Sequence, residues 1–168
     1  MDTLEIRLAC PHDDVSALTA LLHKAYARLG AMGLHYKAVD QADDVTRQRM
    51  ASGECYLALV AGRLGGTVTY KPMARTRGTT WLDRADIASL GQLAVDPALQ
   101  QAGIGGRLLA YAEARARDDG AAEIALDTAE PATHLVRWYT SRGYRFIEYA
   151  QWNHANYRSV IMSKPLRA

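Results

Sequence analysis

Three glycines, Gly103, Gly105 and Gly106, fall within four residues of the stretch LAVDPALQQAGIGGRLLAYAEARARDDG. They follow an apolar run ending at Val95 and a proline, Pro97, and they precede an amphipathic segment that begins near Ile104. Glycine inside a helix costs about 1 kcal/mol relative to alanine, so three at one helix entrance suggest a group that must approach the backbone closely. The first amides of a helix have no intrahelical acceptor, and the macrodipole adds roughly half a positive charge there. A strand, a glycine turn and a helix start therefore make an anion site, suited above all to phosphate. A tight left-handed turn with nothing bound is the other reading. The dinucleotide pattern GxGxxG needs a small residue where Leu108 stands, and no Gly-Lys-Ser/Thr of a P-loop occurs.

The run Gln100-Gln101-Ala102-Gly103-Ile104-Gly105 fits a third pattern, Q/R-x-x-G-x-G/A. Preceded by LAVDP, it resembles the GCN5-related N-acetyltransferase (GNAT) family. Trp138-Tyr139-Thr140-Ser141-Arg142-Gly143-Tyr144 is similar to the family's LYEKLGF segment, with Tyr139, Gly143 and Tyr144 in register. The resemblance is specific from about Leu90 to Phe146 and loose before that. It implies an α/β fold of the mixed α+β kind, with a mostly antiparallel central sheet of about seven strands and about four helices. Splayed strands would form the acetyl-CoA cleft, and residues 1–168 would be a single domain. Acetyl-CoA is the implied cosubstrate, with its pyrophosphate on the amides of Gln101, Ala102, Gly103, Ile104, Gly105 and Gly106. Gln100 would donate hydrogen bonds without adding charge, leaving Arg107 to supply it. The backbone of Leu93, Ala94 and Val95 would pair with the pantetheine arm, one N–H polarising the thioester carbonyl. Tyr139 matches the family's donor to the departing thiolate.

An amine must be neutral to attack a thioester. With a pKa of about 10.4, only about one lysine-like amine in two thousand is free at pH 7, so a base or a desolvating site is required. Many family members carry Glu on the strand where this chain has Gly91, and the family's frequent Asn near the later helix is replaced near Ala132. Asp86, Asp127, Glu130 and His134 remain as candidates, each equally readable as a surface or capping group. Walls of the acceptor site are expected from His35, Tyr36 and Trp152, with Asn153, His154 and Tyr157 nearby. Trp152 and Tyr157 read equally well as a cross-strand aromatic pair. The five histidines have no HxH or HExxH spacing, so no metal is expected. With no cysteine near the motif to carry an acetyl group, the expected chemistry is N-acetyl transfer by direct amine attack within a ternary complex. The acceptor is then the amine of a small molecule or a peptide N-terminus. The rival is a non-catalytic acyl-CoA-binding or sensing domain, for which the missing strand carboxylate is the best support.

Elements must hold these groups. Leu4 to Ala9 alternates as a strand, and a helix follows with Asp13 as N-cap and Gly30 as its stop. Asp43 to Ser52 reads as a shorter helix, and two β-rich runs flank Ala61-Gly62-Arg63 as a hairpin. Ile87 to Val95 is a strand and Ile104 to Asp119 a helix, with Glu113 and Arg117 placed to pair. A strand at AEIALDT precedes a helix with Pro131 in its first turn and Gly143 at its end. Two final strands, YRFIEYAQW and YRSVIMSK, bracket NHAN. The order β-α-α-β-β-β-α-β-α-β-β argues for a mixed sheet rather than a doubly wound one. The 168 residues are 49% apolar and 23% charged, with a net charge of +2 that gives no case for a nucleic-acid partner. Cys10 and Cys55 read as two buried free thiols. With Asp2 and Glu5 before any apolar run the start does not read as a signal peptide, and no apolar run nears roughly 18–20 residues, so a cytoplasmic chain with no membrane partner is expected. The family resemblance suggests a homodimer.

Overall fold

In a computed structural model that describes residues 2–166, with the side chain of Gln101 also outside the described residues, the chain follows the expected element order. It runs β1 (Leu4–Leu8), α1 (Val15–Ala31), α2 (Asp43–Ala51), β2 (Glu54–Val60), β3 (Arg63–Lys71) and β4 (Ile87–Val95). Then come α3 (Ile104–Asp118), β5 (Glu123–Ala129), α4 (Thr133–Ser141), β6 (Arg145–Ala150) and β7 (Ser159–Pro165). The seven strands form one sheet in the order β1-β2-β3-β4-β5-β7-β6. Every neighbouring pair is antiparallel except β4 with β5. The β2–β3 hairpin closes around Ala61 and Gly62, whose φ angles of 50° and 79° are those a two-residue turn requires.

The sheet is covered on both faces. On one, Ile104, Leu108, Leu109, Ala112 and Ala116 of α3 pack on Val68, Leu90, Ile124 and Leu126 from the central strands. On the other, Leu18, Leu21 and Leu22 of α1 pack on Cys55, Leu57 and Ala94. The spacing of the apolar residues along each helix is what turns one stripe inward.

Several local expectations change. Asp14, not Asp13, caps α1 by accepting from the Ala17 N–H at 3.1 Å. Asp13 is drawn back to β1 instead, where the Arg7 guanidinium donates to both its oxygens at 2.7 and 2.9 Å. α1 runs through Gly30, and Gly33 takes the left-handed position (φ 82°) beyond its end. Pro131 lies before the N-cap of α4 rather than in its first turn. Glu113 does not pair with Arg117: it is buried under α3, where Tyr144 Oη–H and Lys164 Nζ–H donate to it at 2.9 and 3.1 Å. Arg117 donates to the Leu166 carbonyl. Of the two thiols only Cys55 is buried; Cys10 is exposed in the turn after β1.

Candidate active site

β4 and β5 pair only from Ile87↔Glu123 to Ser89↔Ala125 and then diverge. Beyond Ser89 the β4 backbone facing β5 has no strand partner, while β5 continues along β7 as far as Ala129↔Ser159. The register of β4 against β3 also slips between Thr67 and Thr69, where Gln92 adopts φ 51°. A left-handed non-glycine residue of this kind costs on the order of 1–3 kcal/mol and persists only where its surroundings hold it. Here Gln41 Nε2–H donates to the Gln92 side chain, and Tyr26 Oη–H donates to the Leu93 carbonyl at 3.1 Å. The opened strands frame a cavity of about 510 Å³. Leu93, Ala94 and Val95 form one wall and Leu126, Asp127 and Thr128 the other, as the splayed-strand expectation required.

At one end of the cavity the chain turns through Gly103 (φ 75°) into α3. Gly103, Gly105 and Gly106 all line it. Gln100 lines it too, but its side-chain amide donates to the Val95 carbonyl at 3.4 Å and so ties the turn to β4. Ile104 has its side chain in the core, and exposed Ala102 and Arg107 do not form the wall. Arg107, the cation expected here, lies off the wall, and the arginine that does line the cavity is one that sequence reasoning passed over. Arg142, just past α4, stacks over the Trp138 ring at 4.6 Å and lines the cavity. A Cβ on Gly106 would lie 2.9 Å from both its terminal nitrogens, so glycine is what admits the guanidinium at this corner. Arg142 makes no ion pair among the described residues. Its position four residues after Trp138, on the same helical side, was the available signal.

Tyr139 projects from α4 into the cavity, and its hydroxyl has no protein hydrogen-bond partner among the described residues. Burial raises its pKa strongly, so it is a donor and not a phenolate. Of the four base candidates, Asp86 pairs with Arg84 and Glu130 with Arg158, both on the surface. Asp127 and His134 line the cavity. The Asp127 carboxylate opens onto the cavity but is surrounded by protein on its other sides, and desolvation raises its pKa against the pull of Trp152, Arg49 and Lys71. Trp152 Nε1–H holds it at 2.9 Å. Burial, with Arg28 and Arg137 nearby, lowers the pKa of His134.

The expected acceptor walls divide. Tyr36 lines the cavity, accepting from the Ala129 N–H at 2.8 Å and hydrogen-bonded to Thr128 Oγ1 at 2.9 Å. His35 does not line it; it is exposed, and its backbone N–H donates to Asn156. Trp152 does not line it either; its indole N–H donates to the Asp127 carboxylate. The cross-strand reading of Trp152 and Tyr157 fails because both lie between β6 and β7, and Tyr157 stacks on Tyr36 instead, with ring centroids 5.0 Å apart. Among the described residues no His, Cys, Asp and Glu cluster could hold a metal ion. No helix there is long and apolar enough to cross a membrane.

The family profile of the acetyltransferase (GNAT) family matches residues 18–144. The chain belongs to that family. No curated protein matches the sequence. Among solved structures, a GNAT acetyltransferase from Elizabethkingia anophelis with acetyl-CoA bound superposes with a TM-score of 0.69 at 18% identity, over 98% of this chain and 99% of that one. The ribosomal-protein-S18-alanine N-acetyltransferase of Escherichia coli gives a TM-score of 0.73 at 16% identity, covering 99% and 96%. N-acetylglutamate synthase from Neisseria gonorrhoeae, complexed with coenzyme A and N-acetyl-glutamate, matches 99% of this chain but 36% of its own length, with a TM-score of 0.69 at 20% identity. At these identities the likeness is one of fold.

Proposed function

We propose that the chain is a single-domain N-acetyltransferase that uses acetyl-CoA and acetylates a primary amine by direct attack. The observation that carries this reading is the meeting, in one cavity, of an unpaired strand edge, a glycine turn with Arg142 beside it, and the free Tyr139 hydroxyl. The residues present fit the cosubstrate: the opening amides of α3 and Arg142 suit a pyrophosphate, and the β4 edge from Leu93 to Val95 suits an amide-bearing arm. Bound there, acetyl-CoA supplies an acetyl thioester with an electrophilic carbonyl carbon.

The chain's own groups then manage protons and charge. Asp127 takes a proton from the incoming ammonium and passes it to solvent through the open cavity. The neutral nitrogen attacks the carbonyl carbon, and a β4 N–H receives the charge that builds on the carbonyl oxygen. As the C–S bond breaks, its electron pair stays on sulfur, where Tyr139 Oη–H donates a hydrogen bond. Nitrogen gives its second proton to the vacated Asp127 carboxylate, which releases it to solvent, and the thiolate takes a proton from water while Tyr139 keeps its own. In sum an ammonium and a thioester become an amide, a thiol and one proton. Gly91 leaves the usual strand carboxylate position empty, and Asp127 faces the same gap from β5. The test is calorimetric titration of acetyl-CoA, with NADH and ATP as controls, followed by thiol-release assays over an amine panel. Binding and acetylation of an amine support the reading. Binding with no acceptor used anywhere in the panel makes the chain a sensing domain instead.

A further inference from the structure

Beside the acceptor end of the cavity, outside its lining, stand two cations that have no acid partner among the described residues. Arg7, Arg84, Arg115, Arg145 and Arg158 each lie within 3.1 Å of a carboxylate. Arg49 and Lys71 do not, although both are partly withdrawn from solvent. Arg49, on α2, spends one N–H on Gln41 Oε1 at 2.9 Å, and Gln41 in turn donates to Gln92 of the cavity wall. Lys71, the last residue of β3, has no partner for its ammonium among the described residues. Desolvation lowers the pKa of both, and the nearby Arg49 charge lowers that of Lys71 further.

Strand register places these cations relative to Asp127. Lys71, Ser89 and Ala125 lie side by side across β3, β4 and β5, and Thr69 lies beside Gly91 in the next same-face row. Since alternate residues share a face, Lys71, Gly91 and Asp127 look out on one side of the sheet. A Cβ built on Gly91 meets nothing within 4 Å, so the space between the Lys71 and Asp127 strands is open floor. Two strand spacings and an offset of two residues along the strands separate their backbones by at least about 12 Å, and both side chains reach inward from that span. The charge of Arg49 reaches Asp127, Lys71, Tyr26 and Tyr157 from the α2 side. A short amine with an acid group one or two bonds away fits such a span, with its nitrogen at Asp127 and its acid at the cations.

We propose that the acceptor is a free amino acid, whose carboxylate is taken by Arg49 and Lys71 while its amine faces Asp127 across Gly91. The inference rests on the acetyltransferase reading. It completes the charge balance of the site: two cations meet Asp127 and the substrate carboxylate. A peptide N-terminus has an uncharged carbonyl where the carboxylate would sit, and leaves one cation unpaired.

The test is a thiol-release assay with acetyl-CoA over the L-amino acids, each paired with its carboxamide and its decarboxylated amine, alongside short peptides. Calorimetry of the same acceptors on the coenzyme A complex reads binding without turnover. The expected result is a kcat/KM for at least one acid roughly 10- to 100-fold above its amide. Arg49→Gln and Lys71→Met should each shrink that ratio by raising KM for the acid, and Arg49→Lys should restore part of it. Thermal melts identify any variant that fails to fold, and the wild-type acid-to-amide ratio decides the matter without variants. Amides, amines or peptides acetylated as well as the acids would overturn amino-acid recognition and leave acetyl transfer standing. Acetyl-CoA bound with no acceptor used would overturn both.

Discussion

Replacing Gly106 by alanine should make the protein more stable and its cosubstrate binding weaker. The added Cβ would sit 2.9 Å from Nη1 and Nη2 of Arg142 and 3.0 Å from its Cζ. The guanidinium is the far end of a flexible side chain, so it swings away rather than straining the backbone. The third position of α3 gains helix propensity, up to about 1 kcal/mol. The bound pyrophosphate loses a charge-assisted contact. Contacts of that kind contribute about 1.5–3 kcal/mol, and Arg142 is exposed, so the lower end applies. About 1.5 kcal/mol is roughly a tenfold weaker Kd. Calorimetric titration of acetyl-CoA gives the second number and urea unfolding the first. Arg142→Gln should lose similar affinity without the stability gain, and the double variant should lose little more than either alone. Unchanged affinity in Gly106→Ala would refute the assignment of this corner to the anion.

Tyr139→Phe should bind acetyl-CoA as the wild type does while kcat falls roughly 10²- to 10⁴-fold; a wild-type rate would remove Tyr139 from the chemistry. Asp127 has a folded pKa raised by burial. The native state therefore holds its proton more tightly than the unfolded chain, and stability is lost as pH rises from below the ordinary carboxylate value through the raised one. Asp127→Asn should accordingly melt at or above the wild type at pH 7, with the difference closing near pH 3, because the amide oxygen still accepts from Trp152. Its acetylation rate should drop, and the wild-type rate should fall as acidification protonates Asp127; a variant with full activity would shift the base to His134. Tyr144→Phe leaves buried Glu113 with only Lys164 as a side-chain donor, so urea unfolding should show a loss of about 1–3 kcal/mol.

The elements and the glycine turn at one end of the cavity were legible in one dimension because their physics is local. Apolar periodicity sets α1 and α3, Ala61-Gly62 sets the hairpin, and Gly103, Gly105 and Gly106 mark a helix start that something must approach. Local reading erred where a side chain had a distant partner. Asp13 left its capping role for Arg7, and Glu113 turned from Arg117 to Tyr144 and Lys164, which lie 31 and 51 residues away. The acceptor end depended wholly on such distances. Whether Asp127, Asp86, Glu130 or His134 faces the gap follows from where β4 and β5 part. Whether Arg49 and Lys71 find acids depends on how α2 docks against α1 and β2. Arg142 becomes the cation of the glycine turn only once α4 lies against α3. Sequence alone determined the order of elements and the backbone that can meet an anion. Tertiary structure decided which side chains share the cavity and which charges stay unpaired, because those depend on contacts between residues far apart in the chain.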